Sequence, residues 1–319
     1  MNWHLLAFII ALAISYVGTP LIRRVAIKLR VMVDPGGRRV HTRPMPLWGG
    51  IAIYGAFALT CLVVGELAGS GIGIAAPMRG VLLAGVLLLT VGMMDDMKDL
   101  SAGVQALAIV LGGVLLILFG VKIQFLTNPF SRGSMIALGA TMSWIVTLVW
   151  VFGVTKTVDL MDGLDGLAAG IGAIAAGVLA IMAYYSSQAQ VALMGAALCG
   201  ACVGFLRFNF SPAKIFMGTG GSQFIGFVLA AISIIGAFKM AAAIAIALPI
   251  LVFGVPIFDA AFVVLKRVVN RRPVHVADRT HLHHRLLDRG LSQKQAVLVI
   301  YVISLLFGGT ALALYWLSR

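Results

Sequence analysis

Apolar runs of about 20 residues recur along the whole chain, and this feature constrains the fold most strongly, because about 20 apolar residues are what a helix needs to cross a bilayer. Ten such windows lie at roughly 4–22, 48–66, 80–95, 102–121, 137–155, 166–185, 189–206, 220–238, 241–265 and 295–317. The sequence therefore predicts an all-α integral membrane protein with about ten transmembrane helices, forming a single polytopic domain over residues 1–319.

Composition excludes the main soluble classes. Hydrophobic residues make up 61% of the chain and charged residues 11%, whereas a soluble domain has about 25% charged residues. This balance excludes a cytosolic enzyme, a nucleic-acid-binding protein and a disulfide-stapled secreted domain. The net charge of +13 is therefore interpreted through its distribution over the loops.

The distribution of basic residues predicts the orientation. Lys and Arg mark cytoplasmic loops, and most of the 24 lysines and arginines fall on one side if the N-terminus is outside. No Lys or Arg precedes the first span, whereas Arg23 and Arg24 follow it, a pattern typical of a retained helix and not of a cleaved signal peptide. We expect both termini outside and the loops of a candidate active site in the cytoplasm.

Titratable side chains gather on the same predicted side. Of the 11 acids only Glu66 falls outside, Asp259 lies within the ninth predicted span, and most of the 6 histidines are inside. A pump or channel more often places ionisable groups along the depth of its spans. Clustering at helix ends favours an enzyme that works at the cytoplasmic membrane surface.

Two acidic clusters follow predicted spans. Asp95, Asp96 and Asp99 lie at the inner end of the third span, and Asp159, Asp162 and Asp165 follow the fifth at intervals of three residues. Hard oxygen donors at this density suit Mg²⁺ or Mn²⁺ and not zinc. The alternatives are a solvated helix end for the first cluster and a glycine-bearing loop with solvated acids for the second.

Three basic or glycine-rich segments have the chemistry of phosphate binding. The segment from Asn209 through Lys214 to Ser222 is a glycine-rich turn that opens a helix, a reasonable phosphate cradle but also a common connection between spans. The His281-Leu-His283-His284-Arg285 segment fits a diphosphate better than zinc, with a lipid-facing basic loop as the alternative. The loop containing Arg38 and His41 could meet lipid headgroups or a substrate phosphate.

In chain order, five motifs resemble those of the polyprenyl-phosphate N-acetylhexosamine-1-phosphate transferases. They are Pro-x-Pro-x-x-Gly-Gly, Asp-Asp-x-x-Asp-Leu, Asp-Gly-Leu-Asp-Gly, Pro-Ala-Lys-Ile-Phe-Met-Gly and His-x-His-His-Arg-Leu. The resemblance covers essentially the whole chain and implies ten spans with a cytoplasmic active site. The last motif and the short length resemble the bacterial branch that starts O-antigen, enterobacterial common antigen or wall teichoic acid.

The resemblance implies a reaction and its partners. An N-acetylhexosamine 1-phosphate, with N-acetylglucosamine expected first, passes from a UDP-sugar to undecaprenyl phosphate and UMP is released, with Mg²⁺ as cofactor. We expect a multi-pass protein of the bacterial cytoplasmic membrane without a nucleic-acid partner, and a homodimer is left open. The alternatives are a phospho-MurNAc-pentapeptide transferase, an inactive relative that binds polyprenyl phosphate, and a transporter, suggested by Asp259.

The resemblance and the residue chemistry together assign candidate roles. Asp95 and Asp96 match the acidic pair of the family and are the expected catalytic residues, one of them a base on the lipid phosphate. The candidate substrate-binding residues are Arg38, His41, Lys156, Asp162, Asp165, Asn209, Lys214, His281, His283, His284 and Arg285.

Two motifs depart from the family pattern. The family usually has Asn-x-x-Asn before Leu-x-Asp-Gly, where this chain has Lys156 and Asp159, and it usually has Met-Gly-Asp, where this chain has Thr219. The second Asn and the Asp resemble metal ligands. Asp159 and Thr219 are therefore predicted to be the metal ligands here, because together they keep one negative charge and two hard oxygens.

This hypothesis predicts the result of a paired substitution. Asp159→Asn should abolish activity, because the carboxylate ligand is lost, whereas Asp159→Asn combined with Thr219→Asp should restore part of it. The measurement is UMP release by the two purified variants. A double variant no more active than the single one contradicts the compensation.

Overall fold

The computed structural model describes residues 2–34, 43–69, 74–127, 135–237, 247–269 and 281–317. Arg38 and His41, two of the candidate substrate-binding residues, lie outside the described residues. So does the basic segment that precedes the histidine motif.

Helices account for nearly all of the described secondary structure. Their bounds are α1 Trp3–Lys28, α2 Gly49–Leu67, α3 Ala76–Lys98, α4 Ala102–Leu118, α5 Ala140–Leu160, α6 Leu167–Tyr185, α7 Ala189–Asn209, α8 Gly218–Ala237, α9 Ala247–Val252, α10 Gly254–Val269, α11 Leu282–Asp288 and α12 Gln293–Leu317. Eight of these are long and apolar enough to cross a membrane, and α4 is a shorter apolar helix. The prediction of an all-α integral membrane protein is confirmed.

Two small antiparallel ladders were not predicted. Strand β1 (Met32–Val33) pairs with β2 (Met45–Pro46), and β3 (Phe125–Thr127) pairs with β4 (Met135–Ala137). Each ladder joins the two ends of a connection between helices. They are too short to show period-2 alternation in the sequence, which is the usual signal for a strand.

The ninth predicted span is not one continuous helix in its described part. It is divided at Phe253 into α9 and α10. The physical reason is Pro256, which has no N–H to donate to the carbonyl of Val252 four residues earlier. One face of α10 exposes the apolar side chains Phe258 and Phe262, whereas Asp259 on the same helix is buried.

Helix α8 lies at the centre of the bundle. Its residues are almost all apolar or small and largely buried, and it packs against α2, α3, α5 and α6. A helix that is apolar on every side is stable only when other helices or lipid cover it all round. Because α8 is covered by protein, its first turn is held firmly against the ends of its neighbours.

Glycine-to-glycine contacts fix the start of α8. Gly92 of α3 lies against Gly220, and Gly50 of α2 lies against Gly221, so closely that a Cβ atom at either Gly92 or Gly50 would overlap the α8 backbone. The Gly50 N–H also donates to the Met217 carbonyl at 2.8 Å. Small residues allow membrane helices to approach to this distance.

We expect Gly92→Ala to lower the stability of the fold. The new methyl group has no space beside Gly220, and overpacking of this kind costs about 1–3 kcal/mol. The control is Gly55→Ala, because a Cβ at Gly55 would meet nothing within 4 Å. The measurement is the thermal midpoint of each purified variant in detergent, and equal midpoints for the two variants would contradict the packing explanation.

Candidate active site

A pocket of about 360 Å³ lies where α3 and α5 end and α8 begins. Its size is in the range of small-molecule ligand sites. Six aspartates line it, together with polar residues of the later helices: Asp95, Asp96, Asp99, Asp159, Asp162, Asp165, Asn209, Thr219, Ser222 and Gln293. The two acidic clusters predicted from the sequence therefore form one site.

The adjacent acids Asp95 and Asp96 have different anchors. Asp96 accepts a hydrogen bond from the Thr219 N–H at 3.0 Å, which ties it to the first turn of α8. Asp95 Oδ1 accepts two hydrogen bonds at 2.9 Å, from the Leu100 N–H and from Gln105 Nε2. Asp95 is thus fixed to the connection between α3 and α4, and Asp96 faces α8.

Lys156 forms an ion pair with Asp159 on the last turns of α5. Its Nζ atom lies 2.7 Å from Asp159 Oδ2, and the two side chains are 24% and 14% exposed. The Ser222 hydroxyl donates to the other oxygen of Asp159. Both oxygens of this predicted metal ligand therefore already have protein partners, and Lys156 acts as the partner of Asp159.

The Gln105 side chain joins the two acidic clusters. Its Nε2 donates to Asp95, and its Oε1 accepts from Lys156 Nζ at 3.0 Å. A continuous chain of hydrogen bonds thus connects α3, α4, α5 and α8. Gln105 was not predicted from the sequence, and Ser222 was named only as the end of the glycine-rich segment. The available signal was a polar side chain within an apolar helix, which is expensive unless it is used.

Asp165 and Asn209 brace the loop between α7 and α8. Asp165 accepts from the Ala213 N–H at 2.9 Å. Asn209 accepts from the Gly166 N–H at 3.1 Å and donates to the Ile215 carbonyl at 2.9 Å. These two buried side chains hold the glycine-rich loop against the acidic turn, the connection between α5 and α6 that contains Asp162 and Asp165.

Lys214 lies apart from the pocket. Its side chain is exposed and does not line the cavity, and its carbonyl accepts a hydrogen bond from Arg23 Nε at 2.9 Å. The part of the glycine-rich segment that lines the pocket begins at Phe216 and continues through Gly218, Thr219 and Ser222. Substrate binding by Lys214 stays a prediction.

Asp162 is the pocket acid with the least local compensation. Among the described residues no donor bonds to its carboxylate, and burial together with the charges of Asp159, Asp96 and Asp165 raises its pKa to about 8. Within the described ranges no three His, Cys, Asp or Glu residues form a metal cage. Mg²⁺ commonly takes one or two carboxylates and completes its shell with water and phosphate oxygens, so the oxygen donors of this pocket fit such an ion.

The histidine motif packs on the acidic turn from the side. The His283 ring lies against Gly163, where a Cβ would overlap it. It is nearly parallel to the His281 ring, with centroids 5.7 Å apart, and lies 4.3 Å from the His284 ring. Burial and the neighbouring histidines lower the pKa of His283 to about 4, so this ring is neutral at pH 7.

Arg285 and the three histidines do not line the cavity. The Arg285 guanidinium lies over the Phe262 ring at 4.8 Å from the centroid. Of these four side chains, His283 is the one in contact with the acidic turn, at Gly163. Their predicted contacts with substrate stay predictions.

Comparisons with known proteins identify relatives of the chain. Residues 78–237 match the model of glycosyl transferase family 4. The chain is 36% identical to the probable undecaprenyl-phosphate N-acetylglucosaminyl 1-phosphate transferase of Bacillus subtilis, over 98% of this chain and 86% of the relative. It is 31% identical to the decaprenyl-phosphate N-acetylglucosaminephosphotransferase of Mycobacterium leprae, over 97% and 83%.

A third relative bears another name. The chain is 30% identical to the phospho-N-acetylmuramoyl-pentapeptide-transferase of Desulforudis audaxviator, over 96% of this chain and 95% of the relative. The matched family region runs from the first turn of α3 to the end of α8, and it contains all six aspartates of the pocket.

The Lys156–Asp159 pair predicts how Lys156→Gln behaves. Loss of the ammonium leaves Asp159 among other carboxylates, so the variant should be about 1–3 kcal/mol less stable without divalent cations, between the values for exposed and buried pairs. Added Mg²⁺ should then raise its thermal midpoint more than that of the wild type, because a cation relieves more repulsion. The matched control is Lys98→Gln, the same charge change at an exposed position. Equal Mg²⁺ responses in all three proteins would exclude Lys156 from the charge balance of the pocket.

Proposed function

The chain belongs to glycosyl transferase family 4, and on this premise we propose that it transfers N-acetylglucosamine 1-phosphate from UDP-N-acetylglucosamine to undecaprenyl phosphate. The products are UMP and undecaprenyl-diphosphate N-acetylglucosamine, the first lipid-linked intermediate of a cell-envelope glycopolymer. The two N-acetylglucosamine-transferring relatives support the sugar and the polyprenyl-phosphate acceptor.

The observation that carries the proposal is the pocket of aspartates at the ends of apolar helices. An acceptor phosphate on a polyprenyl chain stays at the membrane surface, whereas the sugar nucleotide is water-soluble. A site at the end of the helix bundle is accessible to both. The basic loops predicted on the same side support a cytoplasmic site in a bacterial inner membrane.

The reaction is a phosphoryl transfer between two anions. A phosphate oxygen of the lipid attacks the β-phosphorus of the donor, the bond between that phosphorus and the bridging oxygen breaks, and UMP leaves with the bridging oxygen. Such transfers depend mainly on positioning and on neutralisation of charge. The protein must therefore hold two phosphate groups close together against their mutual repulsion.

The anchors of the acids suggest their roles. One oxygen of Asp95 accepts hydrogen bonds from two N–H donors. Asp95 therefore orients Gln105, which in turn accepts a hydrogen bond from Lys156. Asp96 faces the start of α8 through Thr219, which places it beside the glycine-rich turn. Asp96 is thus the better candidate to accept a proton from, or orient, the lipid phosphate.

The oxygen donors of the pocket would hold Mg²⁺, or Mn²⁺ in its place. Asp159 and Thr219, the ligands predicted from the sequence, both line the cavity, and Asp162 adds a carboxylate with no hydrogen-bond donor among the described residues. The chemistry that a bound Mg²⁺ supplies is neutralisation of the diphosphate charge. Each oxygen of Asp159 already has a protein donor, Lys156 or Ser222, and a bound ion would share such an oxygen or displace its donor.

The proposal is tested by UMP release from purified protein with undecaprenyl phosphate and a panel of UDP-sugars. We expect release with UDP-N-acetylglucosamine, its loss on chelation and its return with Mg²⁺. Asp96→Asn should reduce turnover by at least roughly 100-fold, the usual contribution of proton transfer. Glu66→Gln, a change at an exposed acid outside the pocket, is the control and should be as active as the wild type.

The other outcomes distinguish the alternatives. Turnover with UDP-MurNAc-pentapeptide alone would replace the proposal with the reaction named for the Desulforudis relative. No turnover with any sugar nucleotide, together with retained binding of the lipid, would indicate an inactive relative.

A further inference from the structure

Asp259 is a buried acid on α10, whose other charged residues, Lys266 and Arg267, lie in its last turn. Only 8% of Asp259 is exposed, whereas its neighbour Phe258 is 53% exposed. An ionisable side chain in such a position is costly unless it is paired.

The Asp259 carboxylate holds a different element, the start of α11. Its Oδ2 atom lies 2.8 Å from His281 Nδ1, and its Oδ1 accepts the Leu282 N–H at 2.6 Å. His281, the residue preceding α11, makes no capping hydrogen bond with its own side chain. Asp259 therefore supplies the acceptor that the first N–H groups of a helix need.

The same contact orients the histidine rings. Because the carboxylate is an acceptor, the Nδ1 atom of His281 carries the hydrogen of this pair. The His281 ring is nearly parallel to that of His283, and His283 lies against Gly163 between Asp162 and Asp165. A continuous series of contacts thus leads from Asp259 to the acidic turn of the pocket.

We infer that Asp259 is a positioning residue of the transferase: through His281 it holds the histidine motif against the acidic turn, and so sets where Asp162 and Asp165 stand in the pocket that binds the sugar nucleotide. The inference rests on the proposed function for its kinetic consequence. Its structural part is that Asp259 of α10 holds the start of α11 through His281 and Leu282, and we call this pair of contacts the clamp. The clamp does not depend on turnover.

Asp259→Asn is the variant that separates orientation from folding. The amide oxygen can still accept the Leu282 N–H, but the amide NH₂ can only donate to His281, which forces the hydrogen to the other ring nitrogen. We expect the KM for UDP-N-acetylglucosamine to rise by roughly 10-fold or more, as for loss of a hydrogen bond to a charged group. The thermal midpoint and the KM for the lipid should stay close to the wild-type values.

A double-variant cycle tests whether Asp259 acts through His281. If it does, His281→Asn should raise the same KM, and the double variant should be no worse than either single one. Additive effects, or an unchanged KM in Asp259→Asn, would overturn the inference. The matched control is Asp288→Asn, the same change at the exposed far end of α11, and it should behave as the wild type.

Hydrogen exchange separates this inference from the proposed function. Amides at the start of α11 should exchange faster in Asp259→Ala than in the wild type, because the acceptor of the Leu282 N–H is lost, whether or not the protein turns over any sugar nucleotide. Unchanged exchange there would refute the clamp. Faster exchange in a protein without turnover would leave the clamp intact and refute only the proposed reaction.

Discussion

The close approach of the α8 backbone to α2 and α3 is the contact on which the site depends. Gly220 and Gly221 lie directly on Gly92 and Gly50, so the first turn of α8 cannot move away from the end of α3 without opening a void. Thr219, one residue before this contact, donates its N–H to Asp96. The distance between the acidic pair and the glycine-rich turn is therefore set by backbone packing and not by flexible side chains.

The electrostatics of the pocket follow from this rigid frame. Six aspartates share one cavity, and their repulsion is reduced by donors from several helices: Gln105 from α4, Ser222 and the Thr219 N–H from α8, and Lys156 from α5. Interactions among charges are stronger near or within a protein than in bulk water. A pocket that concentrates carboxylates favours a cation, and a cation bound there can in turn attract phosphates.

The sequence predicted the features that depend on local patterns and missed those that depend on contacts between helices. Apolar length identified the eight described helices that are long enough to cross a membrane and the shorter α4, and spacing identified both acidic clusters, because acids near a membrane are rare enough to be informative. The partners of Lys156 and Asp259 are Gln105, Asp159 and His281. Two of these pairings join residues far apart in the chain, and no periodicity in the sequence encodes such contacts.

The ion pair of Lys156 also bears on how the two departures from the family pattern act together. Asp159 brings a negative charge where the family has a neutral amide, but Lys156, also in place of an amide, cancels it at 2.7 Å. Thr219 then removes a charge that the usual Asp would supply. These three positions therefore carry one negative charge fewer in this chain than in the family pattern, as long as Lys156 stays paired with Asp159. An incoming substrate phosphate could pair with the Lys156 ammonium in place of Asp159. The Asp159 carboxylate would then be released to bind a cation beside that phosphate.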